Sequence, residues 1–158
     1  FTITGGGSSY NSSTKDLTIQ GGAGSVTFNE SGVYYFSNVY VASRCEFIIP
    51  AGVKVIIYMT GNFNSLGQGI VNTSLKPENL QIYSTGDSVN IGGGAGAYMS
   101  VYAPNASINL LGSSDVYGSF VGKSFYNGGG AKVHFDEDLL HLESPLKPKY
   151  RMVAWLVL

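Results

Sequence analysis

Glycine recurs at a fixed interval in the second half of the chain. Gly94, Gly112 and Gly130 are spaced by 18 residues. The segments GDSVNIGGG, PNASINLLG and GKSFYNGGG are three copies of one turn-and-strand pattern, and GNFNSLGQG, which begins at Gly61, is an earlier and looser copy. A period near 18 is too short for a propeller blade or a βαβ unit, but it suits one coil of a parallel β-solenoid.

Three further rows of residues share this register and predict which side chains stack in adjacent coils. The rows are Gly86, Pro104 and Gly122; Asp87, Asn105 and Lys123; and Ser88, Ala106 and Ser124. A glycine that recurs at one register position predicts a corner with positive φ, and we expect such a corner at Gly112. The second row holds one carboxylate, so we interpret it as a solvated turn.

Short runs with alternating apolar residues lie between the turns. They are rich in β-branched and aromatic residues and read VYYFSNVYV, VKVIIYMT, LQIYST, YMSVYA, DVYGSFV and AKVHF. No long segment before Asp136 has helical periodicity. The sequence therefore predicts an all-β chain that forms a right-handed parallel β-helix over roughly residues 25–138, with a β-sandwich as the alternative.

The chain divides into two parts on this interpretation. Residues 1–138 form the β-solenoid domain, and residues 139–158 form a C-terminal linker and a terminal strand that packs on the solenoid. The linker, HLESPLKPKYR, contains two prolines and is solvated. The apolar segment YRMVAWLVL would be a sticky end if it were exposed, so we expect an ordered strand anchored by Trp155.

Charge and cysteine content exclude several classes of protein. The 158 residues are only 12% charged, with a net charge of −1, so no basic field indicates binding to nucleic acid. Cys45 is the single cysteine, which excludes an internal disulfide and a cysteine-based zinc site, and we expect it in the core. No run of about 18 apolar residues is present. The chain begins without Met, so we expect a fragment or a processed form, and any anchor could lie upstream.

An acidic cluster near the end of the repeats is the strongest candidate for chemistry. In AKVHFDEDL, His134 precedes Asp136, Glu137 and Asp138. Placing Val116 over Val133 directs His134 outward, opposite Tyr117, and Asp136 outward beside it. A metal site needs three or four convergent ligands, and His141 lies across an uncertain turn. We therefore interpret the cluster as a cap on the last coil and predict no metal, no cofactor and no catalytic residue.

The remaining acidic residues do not suggest an enzyme. Glycan-cleaving enzymes need paired carboxylates, whereas Glu30, Glu46, Glu78, Asp87 and Asp115 are scattered singly along the chain. The segment GGGAGA, from Gly92 to Ala97, fits a dinucleotide-binding pattern, but a strand and not a helix is expected after it. Exposed tyrosines, of which the chain has many, could bind sugar or a protein partner.

The segment from about Val33 to Leu139 resembles the β-helical domain of PilX-type type IV pilus assembly proteins, which are minor-pilin-like. The likeness is carried by GVYYFSNVYV, VKVIIYMTGNFNSLG, PENLQIYSTG, YMSVYAPNASINLLG, DVYGSFVGKSF and AKVHFDEDL. It implies an extracytoplasmic structural role among other subunits of a pilus or envelope assembly, with an N-terminal anchor helix.

Three functions follow as hypotheses. The first is a non-catalytic structural or interaction module of the bacterial envelope that presents a rigid rod. The second is an adhesin or carbohydrate-recognition domain that uses exposed tyrosines. The third, a β-helix carbohydrate lyase or hydrolase, is disfavoured because no carboxylate pair is visible.

Overall fold

The structure is a computed structural model that describes residues 1–66, 69–93, 96–113, 115–137 and 139. It is nearly all β, with 56% of the described residues in strands, and it forms a β-solenoid of about five turns with mostly parallel sheets. The predicted fold class is therefore confirmed. The right-handed sense of the coil stays a prediction. The proposed C-terminal strand and Trp155 lie outside the described residues.

The described residues form short strands in the first coils and two long strands near the end. In chain order the strands are β1 (Thr2–Thr4), β2 (Ser9–Asn11), β3 (Asp16–Ile19), β4 (Ser25–Thr27), β5 (Gly32–Phe36), β6 (Val39–Val41), β7 (Glu46–Ile49), β8 (Val55–Met59), β9 (Phe63–Ser65), β10 (Gly69–Asn72), β11 (Leu80–Ser84), β12 (Ser88–Ile91), β13 (Ala97–Leu110), β14 (Val116–Asn127) and β15 (Val133–His134). A 3-10 turn, Pro77–Asn79, precedes β11.

Three faces run along the solenoid. The first face stacks β3, β6, β9 and β12, followed by the second halves of β13 and β14. The second face stacks β4, β7 and β10. The third face stacks β5, β8 and β11, followed by the first halves of β13 and β14 and by β15. All of these pairings are parallel, so each strand lies over the equivalent strand of the preceding coil.

Because side chains alternate along a strand, every second side chain points into the coil. On the first face Leu17, Val39, Phe63 and Val89 lie in register and are all fully buried. Each fully buried apolar side chain of this kind contributes about 1.5–3 kcal/mol to folding. The core is thus a set of apolar columns parallel to the solenoid axis.

The coils shorten toward the C-terminus, so the predicted interval of 18 residues fits only the last coils. Hydrogen-bonded residues in adjacent coils are 24 apart at Asn38 and Asn62 and 26 apart at Asn64 and Asn90. They are 19 apart at Asn90 and Asn109, and 17 apart at Ser107 and Ser124. The second face ends at β10 among the described residues, so the later coils are shorter because they lack its strand.

The glycine register is also corrected. Gly112 has no positive φ, although Gly130 does, at 78°. A Cβ on Gly112 would lie 2.5 Å from the carbonyl oxygen of Gly93, and a Cβ on Gly129 would collide with the backbone of Gly112. Glycine is needed at this corner because the backbones of successive coils touch there. Gly94 lies outside the described residues.

The other predicted rows are shifted by one residue. Ser88 stacks on Ser107, which stacks on Ser124, so Ala106 does not belong to that row. Gly122 pairs with Ala103 and not with Pro104. The pairing of β13 with β14 is irregular between Ala103 and Ser107, where β13 has extra residues at a corner. A single fixed period cannot place residues on both sides of such a bulge.

The N-terminal strands differ from the rest, which the sequence did not reveal. β1 pairs with β4, and β2 pairs with β3, and both pairings are antiparallel. Phe1 packs against Tyr10, Phe28, Tyr34 and Phe36, with ring centroids 5.4–6.0 Å apart. This aromatic cluster closes the first coil.

At the other end the predicted register is confirmed, although two apolar side chains of the last rung are exposed. Val116 pairs with Val133, and Tyr117 pairs with His134. Val133 and Phe135 are nevertheless 45% and 56% exposed. Their rung is the last one that the structure describes, so described side chains cover them from one side only. The described part of the chain contains no helix that could span a bilayer.

Replacing Gly112 by valine should destabilise the protein by about 1–3 kcal/mol, because the new side chain would force the backbones of two coils apart. Thermal or urea unfolding measures the effect. Gly32→Val is the matched control, since a Cβ on Gly32 meets only the edge of the Tyr34 ring, at 3.8 Å. Equal stability of the two variants would contradict the role assigned to the corner.

Candidate functional site

Four tyrosines form a column on the outside of the third face, which we call the tyrosine ladder. Tyr35, Tyr58, Tyr83 and Tyr102 occupy the same register in β5, β8, β11 and β13. They point outward because the residues on either side of each one alternate into the core. The ladder therefore crosses four successive coils.

The rings of the ladder stack on one another. The centroids of Tyr35 and Tyr58 are 5.7 Å apart with an angle of 19° between the ring planes, and those of Tyr58 and Tyr83 are 5.2 Å apart with an angle of 23°. Tyr102 is tilted, 6.3 Å from Tyr83. Both faces of Tyr58 are thus covered by its neighbours. Inside the ladder, the rings present their edges and hydroxyl groups to the surroundings.

A groove with a volume of about 480 Å³ runs beside the ladder, and we call it the tyrosine groove. Ser37, Thr60 and Thr85, which we call the hydroxyl row, line it as well. The full lining is Lys15, Tyr35, Phe36, Ser37, Tyr58, Met59, Thr60, Tyr83, Ser84, Thr85, Tyr102 and Pro104. This lining is mostly apolar, with hydroxyl groups at intervals of one coil.

The local sequence explains why the groove has this form. Each ladder tyrosine is followed by a residue whose side chain points inward and then by a small or rigid corner residue, as in Tyr35-Phe36-Ser37. At the corner the backbone N–H of Thr60 donates to the carbonyl of Phe36 at 3.3 Å, and the N–H of Thr85 donates to Met59 at 3.0 Å. These corner N–H groups are used between coils, so side-chain hydroxyls supply the polar character of the groove.

Charge in the groove is confined to one end. Lys15 is the only charged residue among the described residues that line it. It precedes the ladder by one coil, and its carbonyl accepts a hydrogen bond from the N–H of Ser37 at 2.9 Å. Partial burial, together with the nearby Tyr58, raises the pKa of Tyr83. Tyr83 therefore stays protonated at neutral pH, and its hydroxyl donates a hydrogen bond to Oε1 of Gln81 at 3.1 Å.

The structure adds an acidic residue to the predicted cluster. His134 Nε2 lies 3.0 Å from Oδ2 of Asp115, so Asp115 is a carboxylate partner of His134 that the sequence did not indicate. The parallel register of β14 and β15 brings these two residues together. Asp136 is half-buried, while Asp138 and His141 lie outside the described residues.

Stacking and hydrogen bonds tie this cluster to the preceding coils. The His134 ring stacks on Tyr117 at 4.6 Å, and Tyr117 stacks on Tyr98 at 4.5 Å. The N–H of Lys132 donates to Oδ1 of Asp115 at 3.0 Å. The hydrogen bond from His134, followed by that from Lys132, lowers the pKa of Asp115. Within the described residues no group of three or more His, Cys, Asp or Glu side chains could hold a metal ion.

The other residues that the sequence analysis considered have structural roles. Cys45 is fully buried in the core, as predicted. β13 follows the segment Gly92–Ala97, and this strand confirms that no dinucleotide-binding helix begins there.

An outward row of asparagines was missed. The side chain of Asn90 accepts a hydrogen bond from Asn109 at 2.7 Å and donates one to Asn64.

The ladder was missed as an aligned set, although the sequence contains a signal for it. Tyrosine stands two residues before Ser, Thr or Pro in four strands, in the segments YFS, YMT, YST and YAP. The spacing between these segments is irregular because the early coils are longer. A search for one fixed period therefore did not align them.

Lowering the pH should remove the contribution of Asp115 to stability. Because its pKa is lowered in the folded protein, this contribution is present above the unfolded value of about 3.9. It is lost as the pH falls through the lower folded value. Melting temperatures measured from pH 7 to pH 2 should fall less steeply for Asp115→Asn than for the unaltered protein. Asp87→Asn, outside the cluster, is the control, and parallel curves for all three proteins would refute the assignment.

Comparison with known proteins gives one match. A family model described as a domain of unknown function (DUF7305) matches residues 38–142. This span includes three of the four ladder tyrosines and the pair of Asp115 and His134. Neither the curated proteins nor the solved structures gave a significant match.

Proposed function

Since the chain belongs to the DUF7305 family, a domain of unknown function, we propose from its geometry that it is a non-catalytic interaction module, a rigid β-solenoid that binds a partner through the tyrosine groove. The observation that carries this proposal is the alignment of four outward tyrosines over four coils beside a groove of about 480 Å³. The volume lies within the range of ligand-binding clefts.

Rigidity supports the role of a rod. Each coil is joined to the next by parallel strands on at least two faces, and continuous apolar columns fill the interior. Side chains outside the core add further columns, namely the tyrosine ladder and the asparagine row. A groove built on such strands keeps its shape without a partner, which lowers the entropy cost of binding.

The proposed setting is extracytoplasmic, in a bacterial envelope or pilus-related assembly. The resemblance of residues 33–139 to PilX-type pilus assembly proteins supports this setting. In such an assembly an upstream helix would hold the module at the membrane, and the groove would face other subunits or the cell exterior.

Carbohydrate recognition, as in an adhesin, is the second candidate function. It is favoured by the combination of aromatic rings with the hydroxyl row, because sugars present both apolar C–H groups and hydroxyl groups to a binding site. The groove could serve this function without any change in the fold.

Photo-crosslinking in living cells tests whether the groove is the binding surface. A benzophenone amino acid placed at Thr60 should give a discrete adduct, and the adduct should weaken when Tyr35 is also replaced by threonine. The same probe at Tyr126, which is exposed on β14 away from the groove, is the control. Absence of an adduct from Thr60, or equal adducts from both positions, would contradict the proposal.

A further inference from the structure

We propose that the tyrosine groove binds a linear acidic glycan, which lies along the solenoid axis with a carboxylate at Lys15. This inference rests on the proposed function, in which the groove is the binding surface, and it specifies the chemical class of the partner. Four properties of the groove carry it: its direction, its electrostatics, the free ring face at one end, and the pairing of its strands along the solenoid axis.

The direction of the groove favours a linear polymer. Its lining residues repeat once per coil, and coils in a parallel solenoid are about 4.8 Å apart. The ladder rings follow this repeat, with centroids 5.2–6.3 Å apart over four coils. An extended chain of sugar rings has a repeat of similar size, so each ring can meet an equivalent set of groups. A compact ligand would contact only part of this set.

The electrostatics of the groove favour oxygen atoms and negative charge. Aromatic rings carry a negative face and a positive edge, and stacking leaves mainly the edges of Tyr58 and Tyr83 to a ligand. In the hydroxyl row, Thr85 already donates its hydroxyl to the carbonyl of Met59 at 3.5 Å, so Ser37 and Thr60 are the members that can donate to a ligand. Lys15 adds a positive charge. No carboxylate is present among the described lining residues. A ligand rich in hydroxyl and carboxylate oxygens matches this surface, and a cationic ligand does not.

One end of the ladder offers a ring face in addition. Tyr35 is the first tyrosine of the ladder and is 64% exposed. It stacks on Tyr58 with one face, and no other ring of the described residues stacks on it. Lys15 lies in the preceding coil and therefore on the side of that second face. A sugar ring can stack on Tyr35 while its carboxylate reaches the ammonium group of Lys15.

Peptides fit the groove less well. Strand addition needs a free sheet edge, and beside this groove only β5, at the Tyr35 end, is paired on one side alone. A peptide strand added there would run parallel to β5, across the groove and not along it. A polyproline helix would need open ring faces between the aromatic residues, and stacking closes the spaces on both sides of Tyr58. Both the backbone and the side chains of the groove therefore favour a glycan.

Isothermal titration calorimetry with purified protein tests the inference. The acidic probes are oligomers of galacturonate, alginate and hyaluronan; the neutral probe is cellohexaose, and the peptide probe is decaproline. We expect at least one acidic oligomer to bind more tightly than cellohexaose, by roughly fivefold or more, and its affinity to fall with added salt.

Paired variants assign the binding to the groove. Lys15→Asn removes the charge and suits the backbone, since Lys15 has φ 62° and asparagine tolerates that region. It should weaken acidic binding roughly fivefold and leave cellohexaose binding unchanged. Tyr35→Thr should weaken acidic binding roughly tenfold. The matched controls are Lys54→Asn and Tyr126→Thr; Tyr126 is 61% exposed, close to the value for Tyr35. Circular dichroism verifies folding.

The remaining outcomes separate the two proposals. If cellohexaose binds as tightly as every acidic oligomer, or Lys15→Asn has no effect, the proposal of an acidic glycan is wrong. If decaproline alone binds and Tyr35→Thr abolishes its binding, the proposal of a glycan is wrong, but the groove remains the binding surface. If no probe binds and Thr60 gives no adduct in cells, both proposals fail.

Discussion

The parallel stacking of coils is the constraint on which the rest of this structure depends. Each coil lies over the last with its strands in register, so a residue at one position meets the equivalent residue about 4.8 Å away. Inside, this repetition builds apolar columns such as Leu17, Val39 and Phe63. Outside, it aligns tyrosines into a ladder and asparagines into a hydrogen-bonded row. At the corner of Gly93 and Gly112 it brings two backbones so close that a Cβ has no room.

The sequence predicted the parts that depend on local pattern. Strand alternation gave the β class, and the pairing of Val116 with Val133 was predicted correctly in the last coil. The predicted interval of 18 residues fits only the last coils, where hydrogen-bonded residues are 19 and 17 apart, because the second face ends at β10 and β13 has extra residues at a corner. Coil length depends on which faces carry a strand, and the local sequence does not indicate this. For the same reason the ladder, which crosses long and short coils, was not aligned.

The His134 cluster shows a similar limit. The sequence indicated Asp136 as the carboxylate beside His134, and it did not reveal that the structure also pairs His134 with Asp115, 19 residues earlier. The partner is chosen by the register of two coils, which brings Asp115 within hydrogen-bonding distance. Tyr98, Tyr117 and His134 then stack in one column on the third face. Ladders thus occur at more than one register of this face, but the ladder that starts at Tyr35 has the tyrosine groove beside it.

Cysteine crosslinking tests the register of the ladder most directly. Tyr35→Cys with Tyr58→Cys places two thiols at paired positions of adjacent coils, within the Cα separation that a disulfide allows. Val33→Cys with Tyr58→Cys offsets them by two residues on the same face, beyond about 7 Å. Under mild oxidation, the first pair should form an intramolecular disulfide, seen by mass spectrometry as the loss of two hydrogens, and the second should not. Equal or faster closure of the offset pair would contradict the alignment of the tyrosines, and with it the groove.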